Sequence, residues 1–422
     1  MAESELRRAI EQGQAAGELT AALARLGNYE LRSEEEALAV AELVANWPEW
    51  ESTRPSPFPA ALGFFQQVET GEAFATLVEY GLPHVRNLFD AIYKQPPSPQ
   101  RTEELLFATK ILVLYHDPSD LPRIAAAAWE PSLDHESLWS VIFQSIGEGY
   151  PLQRELVEAL REPLPDGGAA IAYLDFVNAI AIETPLPHPF DTLAGHAMLE
   201  SWLAEDGEGS SSTARSAAAA LPHLAEADRG RLIEVGLRHP VKEVRMQAAF
   251  AAARFGDRTA VESLSQACLD PKTSATAIVF LENLGELNAI PVRAKNPDFM
   301  AVAEMCRWLA HPMEFGRPPD EASLYDARTL VWPPSKEPRR LWLVRYLYRG
   351  IRPDGSDEAG IGMVGSITFA LYDEARQELP PEDVYALHCC WELEVENDPR
   401  APQERNVAAG RELLRVAGNP GF

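Results

Sequence analysis

Cysteine and long apolar runs are scarce in this sequence, and each shortage excludes a class of protein. The four cysteines, Cys268, Cys306, Cys389 and Cys390, do not have the spacing of a disulfide framework. No run approaches the ~20 apolar residues that span a bilayer, and the N-terminal residues lack the apolar core of a signal peptide. We therefore expect a cytoplasmic protein in a reducing environment, with no membrane partner.

Positive charge is also in short supply. The 422 residues include 37 Lys and Arg against 64 Asp and Glu, which gives a formal net charge of −27. Such an acidic surface repels phosphate backbones and anionic lipids, so we expect no nucleic-acid partner. Acidity also keeps a protein soluble, so the charge by itself does not indicate a function.

Apolar residues are plentiful at 46%, which is enough for sizeable cores in a chain of this length. The most regular stretch runs from Val244 to Pro271, where two helical patterns flank the turn Phe255-Gly256-Asp257. In the first pattern, small residues allow a neighbouring helix to approach closely: Ala248, Ala249, Ala252 and Ala253. Because a lone helical hairpin cannot bury its apolar side, this unit predicts copies of itself along the chain.

Related units occur on both sides of this stretch. In the unit that ends at Pro131, Asp117 precedes the proline by fourteen residues, which is also the spacing from Asp257 to Pro271. Each proline ends one helix and forces an extended residue before the next. Further units end at Pro163, Pro240 and Pro297. A period of about 30 residues made of helix pairs predicts an α-solenoid.

The stretch VRMQAAFAAARFGDRTAVESL, which begins at Val244, resembles a HEAT repeat of the short bacterial type, within the wider armadillo-like superhelix class. The resemblance is clearest over residues 213–297 and extends to residues 104–163. It implies that Arg245 makes structural contacts and that Asp257 caps the second helix. It also implies stacked helical hairpins, the architecture that the spacing of the prolines predicts.

The expected fold is therefore mainly α: a HEAT-like α-solenoid of helical hairpins over residues 1–310, followed by a small C-terminal α+β module. Residues 311–338 contain many prolines and are interpreted as an irregular linker. We recognise no family for the module, residues 339–422. Within it, Arg340–Arg349 is rich in aromatic and aliphatic residues and predicts a strand, and the alternation in Ile361–Tyr372 predicts a half-buried partner strand.

The next element of the module begins near Pro381, where two prolines and two acids are typical of a helix start. The alternation from Trp391 to Glu396 also permits a strand at its end. A final helix is expected over about Gln403–Val416.

The densest group of metal-binding and nucleophilic residue types is His388-Cys389-Cys390 with Glu392. Adjacent residues on a helix point in different directions, and no CxxC or HxxxH spacing supplies further ligands, so we expect no metal and no cofactor. A buried thiol pair is the favoured interpretation. A nucleophilic Cys389 paired with a distant histidine is an alternative that one sequence does not test.

One basic stretch interrupts the acidic chain. Residues 336–352 carry six basic residues against the single acid Glu337, with aromatic residues interleaved. We consider two interpretations: a docking surface for an acidic partner or for the acidic solenoid itself, and an edge strand whose arginines keep it soluble. The first makes Arg345 and Arg349 candidate binding residues.

These features favour a non-catalytic scaffold that binds a protein partner on the concave face of the solenoid, formed by the second helix of each repeat. The outward-facing candidates on those helices are Arg123, Arg154, Arg231, Glu234, Glu262 and Gln266. The resemblance also leaves an enzyme possible, because HEAT-like scaffolds occur in bilin lyases and alkylpurine DNA glycosylases. The acidic composition disfavours the glycosylase type. A third hypothesis is an acidic inhibitor or immunity-like protein that mimics a polyanion.

Overall fold

The computed structural model of the chain describes residues 5–26, 29–46, 57–67, 71–146, 151–183, 187–205, 211–311, 313–371, 379–393 and 402–422. This part of the chain is mainly helical, with a small antiparallel sheet near the C-terminus. The chain divides into two compact units, Met1–Gly236 and Leu237–Phe422. Residue 310, where the sequence predicts the end of the solenoid, lies inside the second unit. Of the helices in these ranges, none is both long and apolar enough to cross a bilayer.

The first unit is helical wherever it has regular structure in the described ranges. Several of its helices begin at a polar cap: the Ser33 hydroxyl accepts a hydrogen bond from the backbone N–H of Glu36 (3.3 Å), and the Ser98 hydroxyl accepts one from the backbone N–H of Arg101 (3.1 Å). In chain order the helices are α1 (Glu5–Ala16), α2 (Leu19–Leu26), α3 (Glu34–Ala45), α4 (Phe58–Gly63), α5 (Glu72–Thr76), α6 (Leu82–Tyr93), α7 (Pro99–Leu114), α8 (Leu121–Ala128), α9 (Glu136–Gln144), α10 (Gln153–Ala159), α11 (Gly167–Glu183), α12 (Leu193–Ala204), α13 (Ser211–Ala220) and α14 (Glu226–Leu237).

The second unit begins with the hairpin that the sequence predicts around Gly256. Its first four helices are α15 (Lys242–Arg254), α16 (Arg258–Ala267), α17 (Pro271–Asn283) and α18 (Pro297–Leu309). Gly256 turns the chain with a φ of +97°, a conformation that favours glycine. The Asp257 carboxylate then caps α16, accepting hydrogen bonds from the backbone N–H groups of Thr259 (2.8 Å) and Ala260 (3.4 Å). This is the capping role that the resemblance implies for Asp257.

Four strands follow these helices and form one antiparallel sheet in the order β1-β2-β3-β4. They are β1 (Glu321–Trp332), β2 (Glu337–Tyr348), β3 (Glu358–Val364) and β4 (Phe369–Leu371). Strand β2 confirms the strand expected over Arg340–Arg349.

Two expectations for this region are wrong. The linker interpretation of residues 311–338 fails because β1 lies within that range. The prolines flank the strand, with Pro319 before it and Pro333 after it, so they do not interrupt its hydrogen bonds. The single strand expected over Ile361–Tyr372 is instead β3 and β4, separated at Gly365. The φ of Gly365 is +110°, and a Cβ there would lie 2.3 Å from the Arg340 carbonyl oxygen.

Helices cover both faces of the sheet. On one face, Met305 and Leu309 of α18 pack with Val344 and Tyr346 of β2. On the other face lie α19 (Pro381–Glu392), which begins at the expected proline, and α20 (Pro402–Val416). Trp391 and Glu392 belong to α19 and Leu393 caps its end, so these three residues are not a strand; residues 394–396 lie outside the described residues.

Candidate functional site

The α15–α16 hairpin carries a surface groove of about 270 Å³. Its lining residues are Lys242, Arg245, Met246, Ser263, Leu264, Gln266 and Ala267. Met246 and Leu264 are buried and form an apolar floor. Lys242, Arg245 and Gln266 surround that floor with polar and basic groups. An apolar floor inside a basic rim suits a ligand that combines an apolar part with a negative charge.

Intramolecular hydrogen bonds fix both cations of this groove. The Lys242 Nζ donates to Asp270 Oδ2 at 2.5 Å, and Arg245 Nη1 donates to the carbonyl oxygens of His239 (2.6 Å) and Pro240 (2.5 Å). The structural contact that the resemblance implies for Arg245 is therefore to backbone carbonyls. Because a guanidinium has five N–H donors, Arg245 keeps the N–H groups of Nε and Nη2 in addition to those of Nη1, which binds these carbonyls.

Burial opposes the charged form of the Asp270 carboxyl, but hydrogen bonds outweigh this effect. The ammonium of Lys242 and the backbone N–H of Lys272 both donate to the carboxylate and hold its pKa below its ordinary value. The Asp270 carboxyl group therefore stays ionised at neutral pH. Asp270 caps the start of α17, and its bond to Lys242 holds that side chain on the basic side of the groove.

Two of the candidate binding residues lie on this hairpin. Gln266 lines the groove, and Glu262 is exposed one helical turn earlier on α16. Sequence reasoning did not select Lys242 or Ser263 as groove residues. The spacing of Lys242 and Arg245, three residues apart on one helix, is the signal that places both cations on the same face.

Arg123, which was expected to face outward, has a partly exposed side chain that belongs to an ion-pair cluster around a buried carboxylate. Its guanidinium donates to both carboxylate oxygens of Asp90 (2.9 and 2.8 Å) and lies 3.5 Å from Asp120. Asp120 is fully buried, and Arg86 binds it through Nε and Nη2, both at 2.8 Å. A buried carboxylate needs cationic partners, so Arg123 is held by α6 and by the turn before α8.

The other candidates of the first unit are exposed on its helices. Arg154 lies at the start of α10, and Arg231 and Glu234 lie on α14. Arg231 forms an ion pair with Glu200 of α12. The structure therefore places four of the six helical candidates in the first unit and two in the second.

The arginines of the basic stretch have neighbours within the second unit. The Arg345 guanidinium lies 3.6 Å above the centre of the Tyr325 ring, and Arg349 pairs with Glu321 of β1. The edge-strand interpretation is wrong for β2, because β2 lies between β1 and β3. These side chains thus contribute to the contacts that join β2 to β1.

The thiols of α19 have the properties of buried side chains. Cys389 and Cys390 are both buried, and burial raises the pKa of Cys389 to about 12. A cysteine nucleophile needs the opposite shift, so this environment does not activate Cys389. Within the described ranges, no three His, Cys, Asp or Glu residues are arranged to hold a metal ion. Comparisons of the chain with protein-family models, curated proteins and solved structures found no match.

Proposed function

We propose that the protein is a non-catalytic interaction scaffold, in which a HEAT-like solenoid of helical hairpins binds a protein partner. We assign the α15–α16 groove as one contact site for that partner. The observation that carries this proposal is the combination of an apolar floor, Met246 and Leu264, with a rim that holds Lys242 and Arg245.

The chemistry of the groove indicates the kind of segment that would bind. An amphipathic helix can place an apolar side chain against Met246 and Leu264 and a carboxylate against the rim. Methionine adapts its shape to different apolar partners, which suits a site of this kind. Opposite charge on the partner would speed its association and orient it, with a smaller effect on affinity.

Two exposed positions on α16 allow a test that leaves the fixed cations in place. In the double variant Ser263→Glu/Gln266→Glu, two negative charges enter the groove and repel an acidic partner. We expect at least ~10-fold weaker binding, a loss of ~1.4 kcal/mol. The partner is first captured on the immobilised full chain and purified, and its affinity for each variant is then measured by calorimetry.

A matched control adds the same charge outside the groove. Thr259 and Asn283 are exposed and do not line it, so Thr259→Glu/Asn283→Glu should bind as the parent does. Thermal melts verify that both double variants are folded. Equal affinity of the two variants, or failure of the parent chain to retain any partner, would contradict the proposal.

A further inference from the structure

Helices α9 and α11 of the first unit pack against each other and leave a cavity of about 200 Å³ at their junction, the α9–α11 cavity. Its floor is apolar, because Phe143, Ile146, Ala172 and Phe176 line it and are buried. The two phenylalanine rings are stacked, with their centroids 5.3 Å apart. The floor therefore offers aromatic and aliphatic surface to an apolar chain.

The polar side chains of the α9–α11 cavity can all accept hydrogen bonds. They are Ser140 and Gln144 of α9 and Asp175 of α11. Ser140 and Gln144 are four residues apart, so they lie on one face of their helix. Of the described residues that line the cavity, Asp175 alone carries a formal charge. This chemistry favours a ligand that is positively charged and donates hydrogen bonds.

The charge of Asp175 is only partly compensated by its neighbours. The residue is exposed as a whole, but packing around its carboxyl group raises the pKa of that group above its ordinary value. The Ser216 hydroxyl and the charge of Arg215, both on α13, lower this pKa in part. Because the net shift is upward, these neighbours stabilise the carboxylate less than water does. A cation in the cavity would supply the missing stabilisation.

We propose that the α9–α11 cavity binds a lysine side chain of a protein partner, with the ammonium group beside Asp175 and the methylene chain against the two phenylalanine rings. An ammonium group has three N–H donors, which matches three accepting side chains, whereas a guanidinium brings five. The four-carbon chain of lysine packs on apolar surface while its charge stays at the rim.

Size and charge favour a partner's side chain over a free ligand. Sites for whole small molecules usually measure about 300–1,000 Å³, whereas this cavity of about 200 Å³ accommodates one side chain. The net charge of −27 attracts basic partners. The assignment of a partner's lysine rests on the proposed scaffold function, but peptides replace the partner in the test, so the two can fail separately.

The test is the affinity of the full chain for the peptide acetyl-Gly-Lys-Gly-amide, measured by ligand-observed NMR. We expect saturable binding with a Kd on the order of 1 mM, because one side chain anchors the peptide. A norleucine peptide, which lacks the ammonium group, should bind at least ~5-fold more weakly. An arginine peptide should also bind more weakly than the lysine peptide, because the cavity leaves some of its donors without acceptors.

Two substitutions test the charge and the apolar space separately. Asp175→Asn removes the charge and should weaken the lysine peptide ~5-fold without affecting the norleucine peptide. Ala179→Leu fills the cavity from an exposed lining position and should abolish binding of both. As a matched control, Glu155→Gln removes an exposed negative charge of α10 outside the cavity and should keep the parent affinity. Thermal melts verify that each variant is folded, and either cavity variant carries the test if the other fails to fold.

n-Butylammonium chloride tests a free amine as the alternative occupant. If it binds the parent chain and the lysine peptide does not, the cavity takes a free amine and the assignment of a partner's lysine is overturned. The assignment is equally overturned if the parent shows no saturable binding, or if the norleucine or arginine peptide binds as well as the lysine peptide. Equal affinities of Asp175→Asn and Glu155→Gln, or parent affinity in Ala179→Leu, would also contradict it.

Discussion

Charged side chains have different roles in helices α6–α8 of the first unit and in the α15–α16 hairpin of the second. In the first region, Arg86 and Arg123 enclose the buried Asp120. In the second, Lys242 and Arg245 are held at the rim of a groove. An arginine on the outer side of a helical hairpin thus becomes structural when a neighbouring element supplies a buried acid. Arg245, at the rim of the groove, instead binds the backbone carbonyls of His239 and Pro240.

The substitution with the largest expected effect on this comparison is Asp120→Ala. The substitution removes the carboxylate that joins Arg86 and Arg123, and it leaves a cavity between two guanidinium groups. We expect a loss of ~3 kcal/mol in the free energy of opening, at the lower end for a broken buried pair because both arginines are partly exposed. Hydrogen exchange of the α8 amides measures this quantity, and a loss below ~1 kcal/mol would show that the cluster is not structural.

A second internal polar site of the first unit predicts a pH effect. His188 is buried: its Nδ1 accepts the backbone N–H of Phe190 (3.3 Å), so Nε2 carries the proton and donates to Asn178 Oδ1 (3.1 Å). Burial, and then the nearby His223, lower the pKa of His188 from 6.5 to about 3. Between pH 3 and 6.5 the unfolded chain binds more protons than the folded chain. The free energy of unfolding is therefore highest above pH 6.5 and decreases as the pH falls toward 3.

The expected slope is up to ~1.4 kcal/mol per pH unit between pH 4 and 6. It is measured by hydrogen exchange of the α11 amides at several pH values. His188→Gln should flatten the slope, whereas the exposed His135→Gln should not. Parallel slopes for the parent and His188→Gln would contradict the assignment of this pH dependence to the buried imidazole.

The smallest expected effect is Asp257→Ala in the α15–α16 hairpin. This carboxylate only caps α16, so its loss should cost about 1 kcal/mol in the opening of the α16 amides. Asp120→Ala should therefore cost about three times as much in its own region. The comparison between the two regions fails if the cap contributes as much as the buried acid.

The features that the sequence predicts well are those with local causes. The hairpin around Gly256 depends on a cap at Asp257 and on a proline at the start of the next helix, and strand β2 depends on its own run of aromatic and aliphatic residues. The ion pairs of Arg123 were not predicted, because its partner Asp90 lies 33 residues away on another helix. Strand β1 was missed because the prolines that flank it were interpreted as signs of a linker, although its end, Leu330-Val331-Trp332, favours a strand.

Helix α18 has two neighbours at once, because α17 packs against it and the sheet covers its other side. Met305, Cys306 and Leu309 on that side are at most 1% exposed. A fragment trimmed after residue 310 would uncover these side chains and invite precipitation during purification. A shortened protein for the study of the α15–α16 groove should therefore keep the strands, because they cover the apolar side of α18.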